Sequence, residues 1–343
     1  MVAIAQVRQS NARLTAETVP RTAVFVGGTS GIGKSTLAEL VSLGFPVKAY
    51  VVGRRATEAA VKPLLEDLRR GNPSSELVWV EGEVSLLSET RRICEWIRAR
   101  ETRLDLLCLT AGYAPFGGRN NTAEGLDVTH ALEYYGRMLF TLHLLPLLRA
   151  SPAGRVLTVL AGSMLRRGAG GGLLLDDLNL EGPGAFGGVR TQTHMAVMNT
   201  LFLDRLSAEE EKSGGGGGGG VTFVHNWPGA VDTGNAARHH APSFWSPVPL
   251  TALLLRPLFL VIGSGEKEAG ERHLFLATSG DFGGGEGKGA GARNTRGEEG
   301  RRGLFLVDHK CEVADKSEIM EELRREAQGK VWEKTMEVLG PYL

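Results

Sequence analysis

The residues best suited to chemistry in this chain lie between Gly27 and Ser35. Gly28-Thr29-Ser30-Gly31-Ile32-Gly33-Lys34-Ser35 spells GxxxxGKS, and Gly27, Gly31 and Gly33 spell GxxxGxG. Both spacings belong to phosphate-holding turns, in which glycines let backbone N–H groups and a helix N-terminus approach an anion that side chains would block. The first pattern would cradle ATP or GTP with magnesium, the second a dinucleotide. A magnesium site also needs a strand ending in a carboxylate. The candidate strands end instead in Leu109-Thr110-Ala111-Gly112 and Leu160-Ala161-Gly162. Arg54 and Arg55 follow the second apolar strand, about twenty residues past the glycines, where dinucleotide folds read the adenosine ribose. A guanidinium fork there matches a 2′-phosphate, which points to NADP(H) over NAD(H) and ATP.

These groups need a scaffold of alternating strands and helices, and the hydrophobic pattern supplies one. Strands are expected at Thr22–Val26, Val47–Val52, Leu77–Glu81, Leu104–Leu109, Arg155–Leu160 and Val221–His225, with a seventh at His273–Ala277. Helices are expected at Gly33–Leu43, Glu58–Arg70, Ser85–Arg100 with Ser85 as cap, Glu124–Arg149 and Val189–Glu211. Apolar strands separated by helices of this length predict an α/β fold, a Rossmann-type doubly wound parallel sheet in a single domain. Residues 1–20 read as an N-terminal extension and 21–280 as the NADP(H)-binding domain. Residues 304–343 read as a C-terminal strand and helix, with Ser317 to Leu339 amphipathic. Of the 47 glycines, many fall in Gly214–Gly220 and in Asp281–Gly303, both expected as flexible surface loops.

Composition narrows the function classes. Lys plus Arg equals Asp plus Glu at 39 each, so nothing invites nucleic acid. Cys94, Cys108 and Cys311 form no CxxC pair, and His239-His240 lack partners at metal spacing, so no metal is expected. The first residues carry no long apolar core behind basic ones, and Pro247 to Ile262 is too short and too broken to span a bilayer. A cytoplasmic protein with a small-molecule substrate is expected.

The ordered motifs resemble the short-chain dehydrogenase/reductase family from about Thr22 to Thr233. Gly27-Gly28-Thr29-Ser30-Gly31-Ile32-Gly33 resembles its TGxxxGIG turn, with Val26 in place of the first threonine. Glu83-Val84 stands where the family contacts adenine, and Thr110-Ala111-Gly112 resembles the end of its NNAG motif. Pro228-Gly229 followed by Thr233 resembles the segment that lines the nicotinamide. Ala123-Glu124-Gly125-Leu126-Asp127 looks like the retinol-dehydrogenase-like branch, and Gly270 to Ala277 like fungal members linked to secondary metabolism. The resemblance implies an NADP(H)-dependent oxidoreductase with cofactor contacts at Gly27, Thr29, Ser30, Gly31, Ile32, Gly33, Arg54, Arg55, Glu83, Val84, Ala111, Gly112, Pro228, Gly229 and Thr233. It further implies an apolar substrate under a lid at about 235–263, and a homo-oligomer is common in the family.

The family's Ser-Tyr-Lys set is not matched. Alignment of the helix through Leu201-Phe202 puts Gln192 at the tyrosine position and Ala196 at the lysine position, with Ala161 at the serine and Glu133 at the asparagine. No tyrosine with a lysine four residues later occurs between Gly162 and Leu206. A glutamine amide does not titrate in the useful range. Ser163, Gln192 and His194 stand as catalytic candidates, and His225, Tyr134 and Tyr135 as residues that either pack or face substrate. Three readings follow: hydride transfer by a non-standard mechanism, a redox-silent isomerisation or cyclisation, or a non-catalytic cofactor-binding protein.

Overall fold

A computed structural model describes residues 2–112, 118–162, 165, 168–213, 220–229, 265–283 and 291–343. Seven parallel strands form one sheet in the order β3-β2-β1-β4-β5-β6-β7. They are β1 Thr22–Val26, β2 Lys48–Gly53, β3 Glu76–Glu81, β4 Leu106–Leu109, β5 Arg155–Val159, β6 Thr222–Asn226 and β7 Leu304–Val307. The order reverses between β1 and β4, where a doubly wound sheet opens a crevice at its carboxyl edge. In register, Val26 lies beside Val52 and Leu109, which brings the ends of β1, β2 and β4 together.

Alternate residues of each strand feed two separate cores, because successive side chains point to opposite faces. Val24, Tyr50, Val80, Leu107 and Val156 face one layer, while Phe25, Val51, Cys108, Leu157 and Val224 face the other. The second layer contains α1 Ile4–Asn11, α2 Gly31–Ser42, α3 Arg55–Gly71 and α7 Glu266–Thr278. The first contains α4 Leu87–Arg98, α5 from Val128 through Arg149, α6 Gly188–Ser213, α8 Ser317–Glu326 and α9 Gln328–Leu339. Residues at the N-terminus dock on α7, through Arg8 Nε to both Glu271 carboxylate oxygens at 3.0 Å and Asn11 Nδ2 to Glu271 O at 2.8 Å. Cys94, Cys108 and Cys311 are buried free thiols.

Several expectations are corrected. His273–Ala277 is not a strand but the interior of α7. A short apolar run reads equally as a strand or as a helix buried on all sides. Here Gly270 lets α7 press onto α2, since a Cβ there would sit 2.7 Å from Ser35 O. Residues 291–303 are not a free loop: Asn294 and Thr295 are buried, and Asn294 Nδ2 donates to Arg302 O at 3.1 Å and to Glu298 Oε2 at 2.9 Å. Ser317 to Leu339 divides into two helices at Ala327, whose backbone leaves the helical region at φ −126°. The expected lid lies outside the described residues. None of the described helices is long and apolar enough to cross a membrane.

Two helix starts also shift for one reason. The helix expected from Ser85 begins at Leu87, and the one expected from Glu124 begins at Val128. The Ser85 hydroxyl is used locally, donating to Glu83 Oε1 at 2.8 Å. Glu124 reaches across instead, its carboxylate accepting from Leu87 N at 2.6 Å and Ser88 N at 3.0 Å. Asp127 then caps α5 by accepting from Thr129 N at 2.9 Å. A carboxylate on the first N–H groups of a helix satisfies orphan donors and the helix dipole together. Glu124→Ala should therefore lower stability by about 1 kcal/mol, read as a reduced midpoint in thermal or urea unfolding.

Candidate active site at the carboxyl edge of the sheet

The turn after β1 is built to admit an anion. Gly27 has φ +100° and Gly31 φ +55°, backbone conformations that side chains resist. A Cβ at Gly27 would lie 2.6 Å from Ala111 N, and one at Gly33 2.6 Å from Gly27 O. The turn is thus pressed against the end of β4, where Thr110 N and Ala111 N both donate to Val26 O, at 2.9 and 3.0 Å. Ser30 takes the cap position of α2 with extended backbone. The N–H groups of Gly31, Ile32 and Gly33 are then the first of the helix and have no carbonyl of their own turn to bond. Such a cradle fits a pyrophosphate. Lys34 lies beside it, paired with Glu266 at 3.0 Å.

At the end of β2, Arg54 is the cap residue of α3 and Arg55 its first residue, both exposed. They sit two strands from the topological switch, within the same edge as the glycine turn. Glu83 follows β3, but its Oε1 accepts from Ser85 N at 3.3 Å as well as from the Ser85 hydroxyl, so the carboxylate is turned onto its own chain. Val84 is buried in the core. Pro228 and Gly229 follow β6, and Gly229 has φ +69° and lies against His309, where an added Cβ would approach the His309 Cβ to 2.8 Å and its ring Cγ to 3.1 Å. Thr233 and Ser163 lie outside the described residues.

Between the ends of β4 and β5 the structure brings together Glu133, Gln192 and Arg137. Residues Ala131–Tyr135 form a π-helical segment inside α5, an arrangement that recurs at functional sites. Glu133 sits on it, buried, and its Oε2 accepts from Gln192 Nε2 on α6 at 2.7 Å. Its Oε1 occupies the space beside Gly112, where a Cβ would come within 2.7 Å. The backbone carbonyl of Glu133 accepts from Asn199 Nδ2 at 2.8 Å. One turn on, the buried Arg137 guanidinium ties the two strand ends together. It donates to Thr158 Oγ1 at 2.7 Å, Val159 O at 2.9 Å and Ala111 O at 2.7 Å. Burial pushes the Arg137 pKa down to about 10, while the Glu133 charge opposes that shift. At pH 7 the guanidinium is therefore cationic.

The other candidates pack. His194 Nε2 lies 3.1 Å from Leu178 O, and burial lowers its pKa to about 4. His225 Nδ1 lies 3.0 Å from Thr200 Oγ1, and burial lowers its pKa to about 3. Both rings are neutral at pH 7. Tyr134 bonds Thr335, and the Tyr135 hydroxyl donates to Asn179 Oδ1 at 2.6 Å. Ala161 lies two residues beyond β5 and Ala196 stands one turn after Gln192, both buried. Sequence reasoning missed Arg137 and Asn199. The available signal for the first was an arginine within the apolar run Gly136-Arg137-Met138-Leu139-Phe140.

A short chain dehydrogenase family profile matches residues 21–171. The chain is 33% identical to the oxidoreductase AN1596 of Emericella nidulans, over 98% of this chain and 97% of that one. It is 30% identical to the short-chain dehydrogenase/reductase SAT2 of Stachybotrys chartarum, over 75% of this chain and 72% of that one. The chain belongs to the short-chain dehydrogenase/reductase family. A solved family fold, a 3-oxoacyl (acyl-carrier-protein) reductase from Agrobacterium tumefaciens with NADP bound, superposes with a TM-score of 0.54. It covers 77% of this chain and 89% of its own at 18% identity. The seven-stranded parallel sheet and its switch point are thus the family fold.

Proposed function

We propose that this protein is an NADP(H)-dependent oxidoreductase acting on an apolar carbonyl or alcohol in secondary metabolism. The observation that carries the reading is the glycine turn pressed onto β4 with exposed Arg54 and Arg55 on the same sheet edge. Gly27 through Gly33 hold the pyrophosphate, Arg54 and Arg55 the 2′-phosphate, and Pro228-Gly229 border the nicotinamide end. When bound, the reduced cofactor supplies a hydride. The fungal oxidoreductase that matches nearly the whole chain supports the reaction class, and a cytoplasmic, homo-oligomeric protein is consistent with it. Ala161, Gln192 and Ala196 at the family's Ser, Tyr and Lys positions mean that protonation follows another route. The same three residues favour a second reading, a redox-silent isomerase or cyclase of the same fold.

Binding selectivity tests the cofactor assignment. Arg54→Ala should weaken NADPH about 10- to 100-fold and NADH less than about twofold, the loss of a charge-assisted contact that only the 2′-phosphate receives. Equal weakening of both nucleotides, measured by fluorescence titration, would remove the arginine from the 2′-phosphate site.

A further inference from the structure

We propose that Glu133 is the group that exchanges a proton with the substrate, oriented by Gln192 and charge-balanced by Arg137. The inference rests on the hydride-transfer reading above. Three observations converge on it. The carboxylate lies against Gly112, at the end of the strand beside the glycine turn. Its Oε2 accepts from Gln192 Nε2 at 2.7 Å, so an amide on α6 that carries no exchangeable acid proton holds the carboxylate in place. Its helix is widened into a π segment at that residue, and Asn199 Nδ2 donates to its backbone carbonyl at 2.8 Å. A buried carboxylate needs a compensating charge, and Arg137 supplies it from the next turn.

Glu133 is the titrating group of this set. Arg137 is cationic on its own helix, and on β6 His225 is a neutral buried ring. On α6, Gln192 and Asn199 do not titrate and His194 is neutral. Tyr134 and Tyr135 follow Glu133 on the same segment, with hydroxyls bonded to Thr335 and Asn179 and with pKa values that burial raises. In the reduction direction the Glu133 O–H bond breaks and its proton passes to the substrate oxygen, which has gained the electron pair of the C=O bond. The carbon takes the cofactor's hydride, and the carboxylate is reprotonated from solvent. In the oxidation direction the carboxylate takes the alcohol O–H proton, the C=O bond forms, and the hydride leaving the carbon would go to bound NADP+. Reduction therefore needs the protonated acid and slows as pH rises through its pKa, whereas oxidation needs the carboxylate and slows as pH falls.

The test follows NADPH absorbance with 2-decanone, acetophenone and α-tetralone, and NADP+ with the matching alcohols, across pH. It compares wild type, Glu133→Gln and Glu133→Asp. The glutamine keeps the volume but exchanges no proton, and should slow both directions about 100-fold or more with NADPH affinity within about twofold. Its residual rate should lose the pH dependence, and the aspartate should retain a displaced profile. In cofactor-free protein, the infrared difference between wild type and Glu133→Gln should show one carboxyl group titrating over the same pH range in which the wild-type rates change, a coincidence that a purely structural residue would not give. A Glu133→Gln protein that turns over within about threefold of wild type with an unchanged pH profile overturns the proposal. So does a wild-type protein that binds NADPH and reduces no member of the panel. Failure of wild type to bind NADPH overturns the cofactor reading and this proposal with it.

Discussion

Gly27→Val is expected to abolish NADPH binding and to destabilise the domain by about 3 kcal/mol or more. Two costs add at that position. The backbone has φ +100°, which a β-branched residue adopts only under strain. The new Cβ would also lie 2.6 Å from Ala111 N and 2.9 Å from Thr110 C, which are backbone atoms and cannot rotate away. Relief requires the β1 and β4 ends to part, which breaks the bonds from Thr110 N and Ala111 N to Val26 O and tilts the start of α2. A control separates strain from collision. Gly44 has φ +79° but open space around its Cα. Gly44→Ala should cost about 1 kcal/mol and leave NADPH titration unchanged. Calorimetric binding and urea unfolding on both variants check the pair, and a Gly27→Val protein that binds NADPH normally would show that the turn is not the phosphate cradle.

Asp204→Ala is expected to cost about 3 kcal/mol and to loosen the C-terminal helices before the sheet. Asp204 is fully buried on α6 and joins four segments. Arg324 of α8 donates to it through Nε at 2.9 Å and Nη2 at 2.8 Å, Gln328 of α9 through Nε2 at 2.9 Å, and Thr295 through its hydroxyl at 2.7 Å. Removal leaves the Arg324 guanidinium and Thr295 hydroxyl without their shared acceptor. Burial alone would raise the Asp204 carboxyl, but the bonds and charge of Arg324, with the Thr295 hydroxyl and the Arg296 charge, together outweigh it and hold the pKa below the ordinary value. The sign follows from linkage. The contribution is present above the unfolded-state carboxyl pKa and is lost as pH falls through the lower folded value. Hydrogen exchange should show residues 291–343 losing protection first in Asp204→Ala. Uniform loss across the sheet would contradict the assignment.

The sheet was legible where the strands are short, apolar and separated by clear helices. Thr22–Val26 is read to the residue because Gly27 ends it and the turn chemistry fixes its frame. The edge was not legible at His273–Ala277, where Leu274-Phe275-Leu276 has no polar side to give a period. The seventh strand is instead Leu304–Val307, the strand expected within 304–343, and it pairs with β6 through contacts some 80 residues distant in sequence. Helix starts slipped for the same physical reason, since Glu124 caps a helix that begins 37 residues before it. In the site, the glycine turn after β1 is local, and its tight geometry was readable from glycine spacing. The Glu133–Gln192 bond spans 59 residues and depends on how α5 and α6 face each other, which no local pattern encodes.

The measurement that tests the central claim most directly is product formed against NADPH oxidised, with NADPH held limiting and the three ketones offered in turn. The account predicts alcohol and NADP+ in equal amounts, at a rate that falls as pH rises through the Glu133 pKa. NADPH absorbance that stays constant while it is bound, with substrate isomerised or untouched, would contradict hydride transfer and move this chain to the redox-silent reading.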